Sequence, residues 1–267
     1  AVSRALEDHH IDALLVIGGY SAYEGIYTMM TERDRYPAFR IPTVCIPASI
    51  DNNLPGSELS IGTDTALNVI VEAMDKIKES GIASRRCFVV ETMGRDCGYL
   101  ALMSGIAAGA ERIYTNEDGI SLDDLANDVH WLRESFAHGR RLFLAVRNEN
   151  ASHNYTTDFI ARLLEEESHG MYDVRQVVLG HMQQGGSPSP FDRLLANRLG
   201  YRALNLIDDE LAAHQDGSWF IGVNESGMRP CSMDTMPSLI DAAHRRPREQ
   251  WWLQLRTIAR MVSDEVR

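Results

Sequence analysis

The chain has 267 residues, of which 44% are hydrophobic, and 26 basic residues stand against 38 acidic ones for a formal net charge of −12. That apolar fraction supports one large domain or two modest ones and excludes disorder of the whole chain. The acidic balance argues against generic duplex DNA binding, which needs a basic face, while leaving room for a local anion pocket built from a few arginines.

In chain order, short apolar runs alternate with helical patterns. A first helix leads at once into a strand at Ala13–Ile17, and a helix near Ala22–Thr31 follows. Thr43–Ile46 precedes a long polar loop and a helix near Thr65–Lys78. Cys87–Glu91 leads through a glycine-containing loop into the helix Tyr99–Ala108. Arg112–Tyr114 precedes a helix near Ser121–Ala137, and Leu142–Val146 precedes one near Thr157–Glu166. Gln176–Leu179 leads through a second glycine-rich loop into Phe191–Leu206. Trp219–Val223 is the last predicted strand and Arg248–Ser263 the last helix. Strands that read as apolar runs are buried between helical layers. The repeated strand–loop–helix order predicts α/β layers with parallel sheets. Of the neighbours Trp251 and Trp252, only one can centre on a buried helix face.

The four cysteines (Cys45, Cys87, Cys97, Cys231) form no CxxC pair, and the nine histidines show no HExxH spacing, so no metal site is expected. Cys45 and Cys87 sit in apolar runs and read as small core residues. The absence of a long uncharged apolar stretch and of an opening secretory pattern predicts no membrane partner and a reducing, cytoplasmic setting.

Ligands of parallel α/β proteins sit beyond the carboxyl ends of the strands, and four such loops stand out. Gly18 and Gly19 permit either a ligand loop or a simple tight turn. Ser49, Asp51, Asn52 and Asn53 form a polar knot after a buried strand; Asp51 reads equally as a proton acceptor or cation ligand and as a turn cap. Met93, Gly94 and Arg95 offer backbone and a guanidinium fork, with Arg86 just ahead of the same strand. His181 and Gln184 lie in the last loop, and Arg175 precedes its strand. Glu149 ends another strand and adds a carboxylate for hydroxyls. Charge for phosphate, with carboxylate and amide for hydroxyls, suits a phosphorylated polyol.

The segments "PASIDNNLPGSELSIGTDTALN", "ETMGRDCGYLALMSG", "AVRNE" and "VLGHMQQGGSPSPFDRLLANRLG" resemble 6-phosphofructokinase. The segments "NYTTDFI" and "HRRPREQWWLQLR" resemble more closely the carboxyl-terminal half of the two-half enzymes. The resemblance implies two Rossmann-like three-layer α/β/α domains with parallel sheets and the amino-terminal portion missing. It divides the chain into 1–75 with about 188–235, and 76–187 with about 236–267. The loops at 47–56, 91–98 and 180–187 are expected to converge on one cleft.

The family transfers phosphate from MgATP to the 1-hydroxyl of fructose 6-phosphate in oligomers whose subunits share sites. By the resemblance, Asp51 takes the place of the proton-accepting aspartate, with Ser49 for threonine and Asn53 for a second aspartate. Met93, Gly94, Arg95, Glu149, Arg175 and His181 match sugar-phosphate ligands, and Arg86 matches one that comes from a neighbouring subunit. Gln184 stands where the family has arginine. Gly18 and Gly19 match the nucleotide loop, but Tyr20 replaces its aspartate. The resemblance therefore implies Mg2+ and ATP for the parent enzyme and neither for this chain. Its own ligand is expected to be fructose 6-phosphate or, as an effector, fructose 2,6-bisphosphate, with companion phosphofructokinase chains as partners. A kinase with Asp51 as working base and a noncatalytic sugar-phosphate-binding or assembly protein are the alternatives.

Overall fold

A computed structural model describes residues 1–81, 83–224 and 226–262. The elements in chain order are α1 (Val2–Asp8), β1 (Leu14–Gly18), α2 (Tyr20–Thr31), β2 (Thr43–Pro47), α3 (Thr63–Gly81), β3 (Arg86–Thr92), α4 (Tyr99–Ala108), β4 (Arg112–Tyr114), α5 (Leu122–Ala137), β5 (Leu142–Asn148) and α6 (Thr157–Glu166). They continue with β6 (Asp173–Val178), α7 (Pro190–Ala212), β7 (Ser218–Asn224), β8 (Gly227–Ser232), α8 (Met236–Leu239), β9 (Ile240–Asp241), β10 (Arg246–Pro247) and α9 (Arg256–Val262). They form two compact units, residues 1–63 with 188–250 and residues 64–187 with 251–267. These divisions fall at 63/64 and 250/251, where the resemblance implied 75/76 and about 235/236.

The first unit holds a four-stranded sheet in the order β1-β2-β7-β8. β1, β2 and β7 are parallel, and β8 returns antiparallel to β7 at the edge. The sheet is thus mostly parallel, with one antiparallel strand at its edge. Successive residues of a strand face opposite sides. Val44 and Ile46 accordingly pack with Leu195, Leu199 and Ile207 of α7. Cys45 packs with Tyr23 and Ile26 of α2 on the other side. Helices on both faces make this the α/β/α layering that the apolar runs predict. α7 starts at Pro190 behind Ser189, whose Oγ accepts from Asp192 N at 3.1 Å. Its outer side leaves Leu194, Tyr201 and Leu204 exposed.

The second unit holds a wholly parallel sheet in the order β4-β5-β3-β6. Cys87, Val89, Phe143 and Ala145 face a core completed by Leu125, Leu132 and Phe136 of α5 and Ile160 and Leu164 of α6. Ser121 and Asp124 start α5 with a reciprocal capping box. The predicted last helix is a 3-10 turn over Trp251–Leu255 followed by α9, and its predicted end at Ser263 lies outside the described residues. Trp252 is buried to 2% and Trp251 is 36% exposed. Both meet Tyr99 of α4 edge-on, with centroid distances of 5.8 and 6.3 Å.

Candidate functional site

In the first unit the strand ends carry two neighbouring loops. β1 passes through Gly18 and Gly19 into α2. A Cβ on Gly18 would lie 2.7 Å from that of Ala22, so the turn is closed to other residues unless the helix start shifts. Gly18 O accepts from Ala48 N at 3.0 Å, which sets this turn beside the segment after β2. Ser49 Oγ accepts from Asp51 N and donates to Asn53 Oδ1, both at 3.3 Å. Ser60 and Thr63 hydroxyls donate to Ser49 O at 2.6 and 3.0 Å. Buried Asn52 bridges the loop by accepting from Ser60 N and donating to Glu58 O. Half-buried Asp51 is therefore held on a loop bracketed from both ends.

Asn53 Nδ2 donates to Arg245 O at 3.0 Å, and the Arg245 guanidinium lies 5.7 Å from the Tyr20 ring centre. Burial raises the Tyr20 phenol above its ordinary value, Glu24 adds to this, and Arg245 pulls the other way. The side chain is thus neutral at physiological pH. With a phenol at Tyr20, an amide at Asn53 and a carboxylate only at Asp51, the Gly18–Tyr20 and Ser49–Asn53 loops do not fit a magnesium site. Hard cations are held by several oxygens, usually with carboxylate charge or substrate phosphates. No cluster of three His, Cys, Asp or Glu residues suited to a metal occurs among the described residues. No pattern in the sequence marks Arg245, because nothing local ties that arginine to a glycine turn more than 200 positions earlier.

In the second unit, β3 and β5 run in register so that Glu91 lies opposite Arg147 and Thr92 opposite Asn148. Arg147 is 1% exposed. Its Nη1 donates to Glu91 Oε2 at 2.9 Å and to Glu149 O at 3.0 Å; Nε and Nη2 donate to Tyr155 O and Ser152 O. Thr157 Oγ1 also donates to Glu91 Oε2. Burial lowers the Arg147 pKa, and the Glu91 carboxylate opposes that shift. This ion pair forms the floor on which Glu149 stands.

Glu149 Oε1 accepts from the backbone N–H of Gly94 at 3.1 Å and of Arg95 at 2.7 Å. Met93 N donates to Gln183 Oε1 at 3.2 Å. Gly94 has φ +129°, and a Cβ there would lie 2.4 Å from Cys97 O, so only glycine fits. Arg95 has φ +50°, a left-handed conformation unusual for a side-chain-bearing residue. The loops at 91–98 and 180–187 therefore meet, as expected. The loop at 47–56 belongs to the other unit. His181 and Gln184 are exposed on the same turn that buries Gln183. Glu117 accepts from Gly98 N through both oxygens at 3.1 and 3.0 Å, so a carboxylate of the chain itself fills the amino-terminal end of α4. Neither Gln183 nor Glu117 carries a local signal, because a polar residue in a loop gives no sign in the sequence of its distant partner.

Two predicted ligands lie elsewhere in this unit. Arg86 opens β3, six residues before Thr92 and so roughly 20 Å of extended strand from the loop. Arg175 does not precede its strand: β6 begins at Asp173, and Arg175 pairs in register with Phe88. Since Arg86 lies opposite Asp173, Arg175 projects on the same face as Arg86, two residues further along the edge.

Residues 1–207 match the family model described as Phosphofructokinase. The chain is 41% identical over 272 aligned residues to the platelet-type ATP-dependent 6-phosphofructokinase of Rattus norvegicus, covering 98% of this chain and 34% of that protein. It is 41% identical to the human muscle-type enzyme, covering 98% and 35% respectively. A solved phosphofructokinase from Saccharomyces cerevisiae superposes with a TM-score of 0.95 at 33% identity, covering 99% of this chain and 37% of that one. The chain thus spans about a third of the length of the curated relatives it matches.

Proposed function

The chain belongs to the phosphofructokinase family, and from that premise we propose that it is part of an ATP-dependent 6-phosphofructokinase in which it supplies a sugar-bisphosphate effector site. Its place in the parent is the carboxyl-terminal half, on the resemblance of its tail, and its ligand is fructose 2,6-bisphosphate or fructose 6-phosphate. The observation that carries this reading is Tyr20 under Arg245. A neutral phenol with a cation over its ring stands where a kinase needs a carboxylate near magnesium. Phosphoryl transfer rests on positioning and charge neutralisation by metal and donors, so this loop is poor in what the reaction requires.

The strand-end loops of the second unit support the binding half of the reading. Arg95 and His181 carry the positive or protonatable groups, Glu149 the carboxylate, and Met93–Arg95 the close backbone. Arg86 at the start of the inner strand β3 and Arg175 on the edge strand β6, both away from these loops, suit a site completed by a companion chain. The exposed side chains on α7 also favour assembly with companion chains. A cytoplasmic setting goes with this reading; no helix among the described residues is long and apolar enough to cross a membrane.

Calorimetry with fructose 6-phosphate, fructose 2,6-bisphosphate and MgATP, beside a coupled kinase assay, tests the proposal. Sugar-phosphate binding without turnover is expected. The alternative, a kinase with Asp51 as base, draws on the position of Asp51 directly after β2 with its backbone tied to Ser49. ATP-dependent turnover that falls about 100-fold or more in Asp51→Asn would establish that alternative.

A further inference from the structure

Gln183 is buried to 1%, although His181, Met182, Gln184 and Gly185 around it are exposed. A buried amide must satisfy both its oxygen and its nitrogen. Its Nε2 donates to Gly180 O at 2.9 Å, a bond within its own turn that fixes the direction of the side chain. Its Oε1 accepts from Met93 N at 3.2 Å, ninety residues away. Three consecutive backbone donors, those of Met93, Gly94 and Arg95, thus go to side-chain acceptors: one to Gln183 and two to Glu149. Glu149 comes from the end of β5, whereas Gln183 comes from the turn that also carries His181 and Gln184.

We infer that Gln183 is a positioning residue, which locks the Met93–Arg95 backbone to the Gly180–Gln184 turn so that the two loops present one preformed ligand surface. This inference rests on the sugar-phosphate reading above. The locked conformation carries backbone strain at Arg95, a side-chain-bearing residue at positive φ. It persists only because the surroundings hold it, and a loop held in place before binding costs the ligand less ordering. An amide suits this role better than a carboxylate: it supplies the acceptor without a second negative charge beside Glu149 in a site for phosphate.

The test uses the whole chain with Gln183→Met and Gln183→Glu. Amide hydrogen exchange is read at residues 93–95 and at 88–90 of β3, and fructose 2,6-bisphosphate affinity is read by calorimetry. Gln183→Met removes the acceptor in a side chain of similar length. It should speed exchange at 93–95 about tenfold or more, leave 88–90 protected, and weaken binding about tenfold, as expected when a loop must be reordered on binding. A general loss of packing would loosen both segments together. Gln183→Glu keeps the acceptor, so Met93 should stay protected while the added charge weakens binding of the bisphosphate. Unchanged exchange at 93–95 in Gln183→Met, or unchanged affinity once the loop has loosened, overturns the inference. If Gln183→Met does not fold, loss of Met93 protection in Gln183→Glu overturns it. A parent chain that binds neither sugar phosphate sinks the function proposed above, and the exchange measurement still decides the locking of the loops.

Discussion

The Arg245 guanidinium lies 5.7 Å from the centre of the Tyr20 ring, on a backbone that Asn53 also holds through its carbonyl. A residue from the short β9–β10 connection thereby covers the start of α2, where the resemblance implied a metal-side aspartate.

The first prediction follows from that contact. Tyr20 should ionise above the ordinary phenol value near 10, and Arg245→Ala should raise it further by removing the charge that favours phenolate. Alkaline absorbance titration of the parent and of Arg245→Ala, each against its Tyr20→Phe counterpart, isolates the signal. Since the unfolded phenol loses its proton first, the contribution of Tyr20 to stability is present below about pH 10 and declines as pH rises through the folded value. A Tyr20 midpoint that falls on removal of Arg245 would show that the two do not interact as described.

A second prediction concerns the floor of the second unit. Arg147→Met should cost about 3–5 kcal/mol in urea unfolding, because it strands the partly buried Glu91 carboxylate and frees three backbone carbonyls. A loss below about 1 kcal/mol would mean that the ion pair with Glu91 is not what holds the ends of β3 and β5.

How much could be read from the sequence differs by element. Buried parallel strands such as Val44–Ile46 and Cys87–Val90 announce themselves as apolar runs. β8 does not: it is an edge strand carrying Arg229 and Pro230, with no row of residues facing a core on both sides. The start of β6 is masked for the same reason, since its edge position tolerates Asp173, Arg175 and Gln176. At the candidate site, Gly94, Arg95 and Glu149 were legible because glycine and charge after an apolar run are local signals. Gln183, Glu117 and Arg245 act through partners that only the folded chain brings near, and no local pattern marks them.

A third prediction separates the arginines. Arg175→Ala should weaken sugar-phosphate binding by about 1.5–3 kcal/mol in the assembled protein, the usual worth of a charge-assisted bond. In a dissociated chain it should have no effect, because Arg175 lies opposite Phe88 rather than beside the Met93–Arg95 loop. Calorimetry and sedimentation at matched concentrations make the comparison; equal losses in both states would place Arg175 in its own chain's site.

Thiol chemistry gives a fourth. Burial pushes the Cys45 thiol up to about 12 and the Cys87 thiol well above its ordinary range, whereas half-buried Cys231 is shifted less. Alkylation at pH 8 followed by peptide mapping should find Cys231 modified well before Cys45 and Cys87, and urea should erase that order. Early native labelling of Cys45 would contradict the packing of β2 against α2.

The contact of Trp252 with Tyr99 gives the molecule a built-in optical probe. Tyr99 opens α4 one residue after Gly98, whose N–H is held by Glu117, so the indole packs on the side chain that directly follows the Met93–Gly98 loop. Its emission should be that of a shielded indole, and ligand-induced movement of the loop should shift that emission without any added label. Trp131 and Trp219 are the tryptophans that make no ring contact with Tyr99, and since Trp251 meets Tyr99 as well, Trp251→Phe and Trp252→Phe controls assign the shift to one indole or the other.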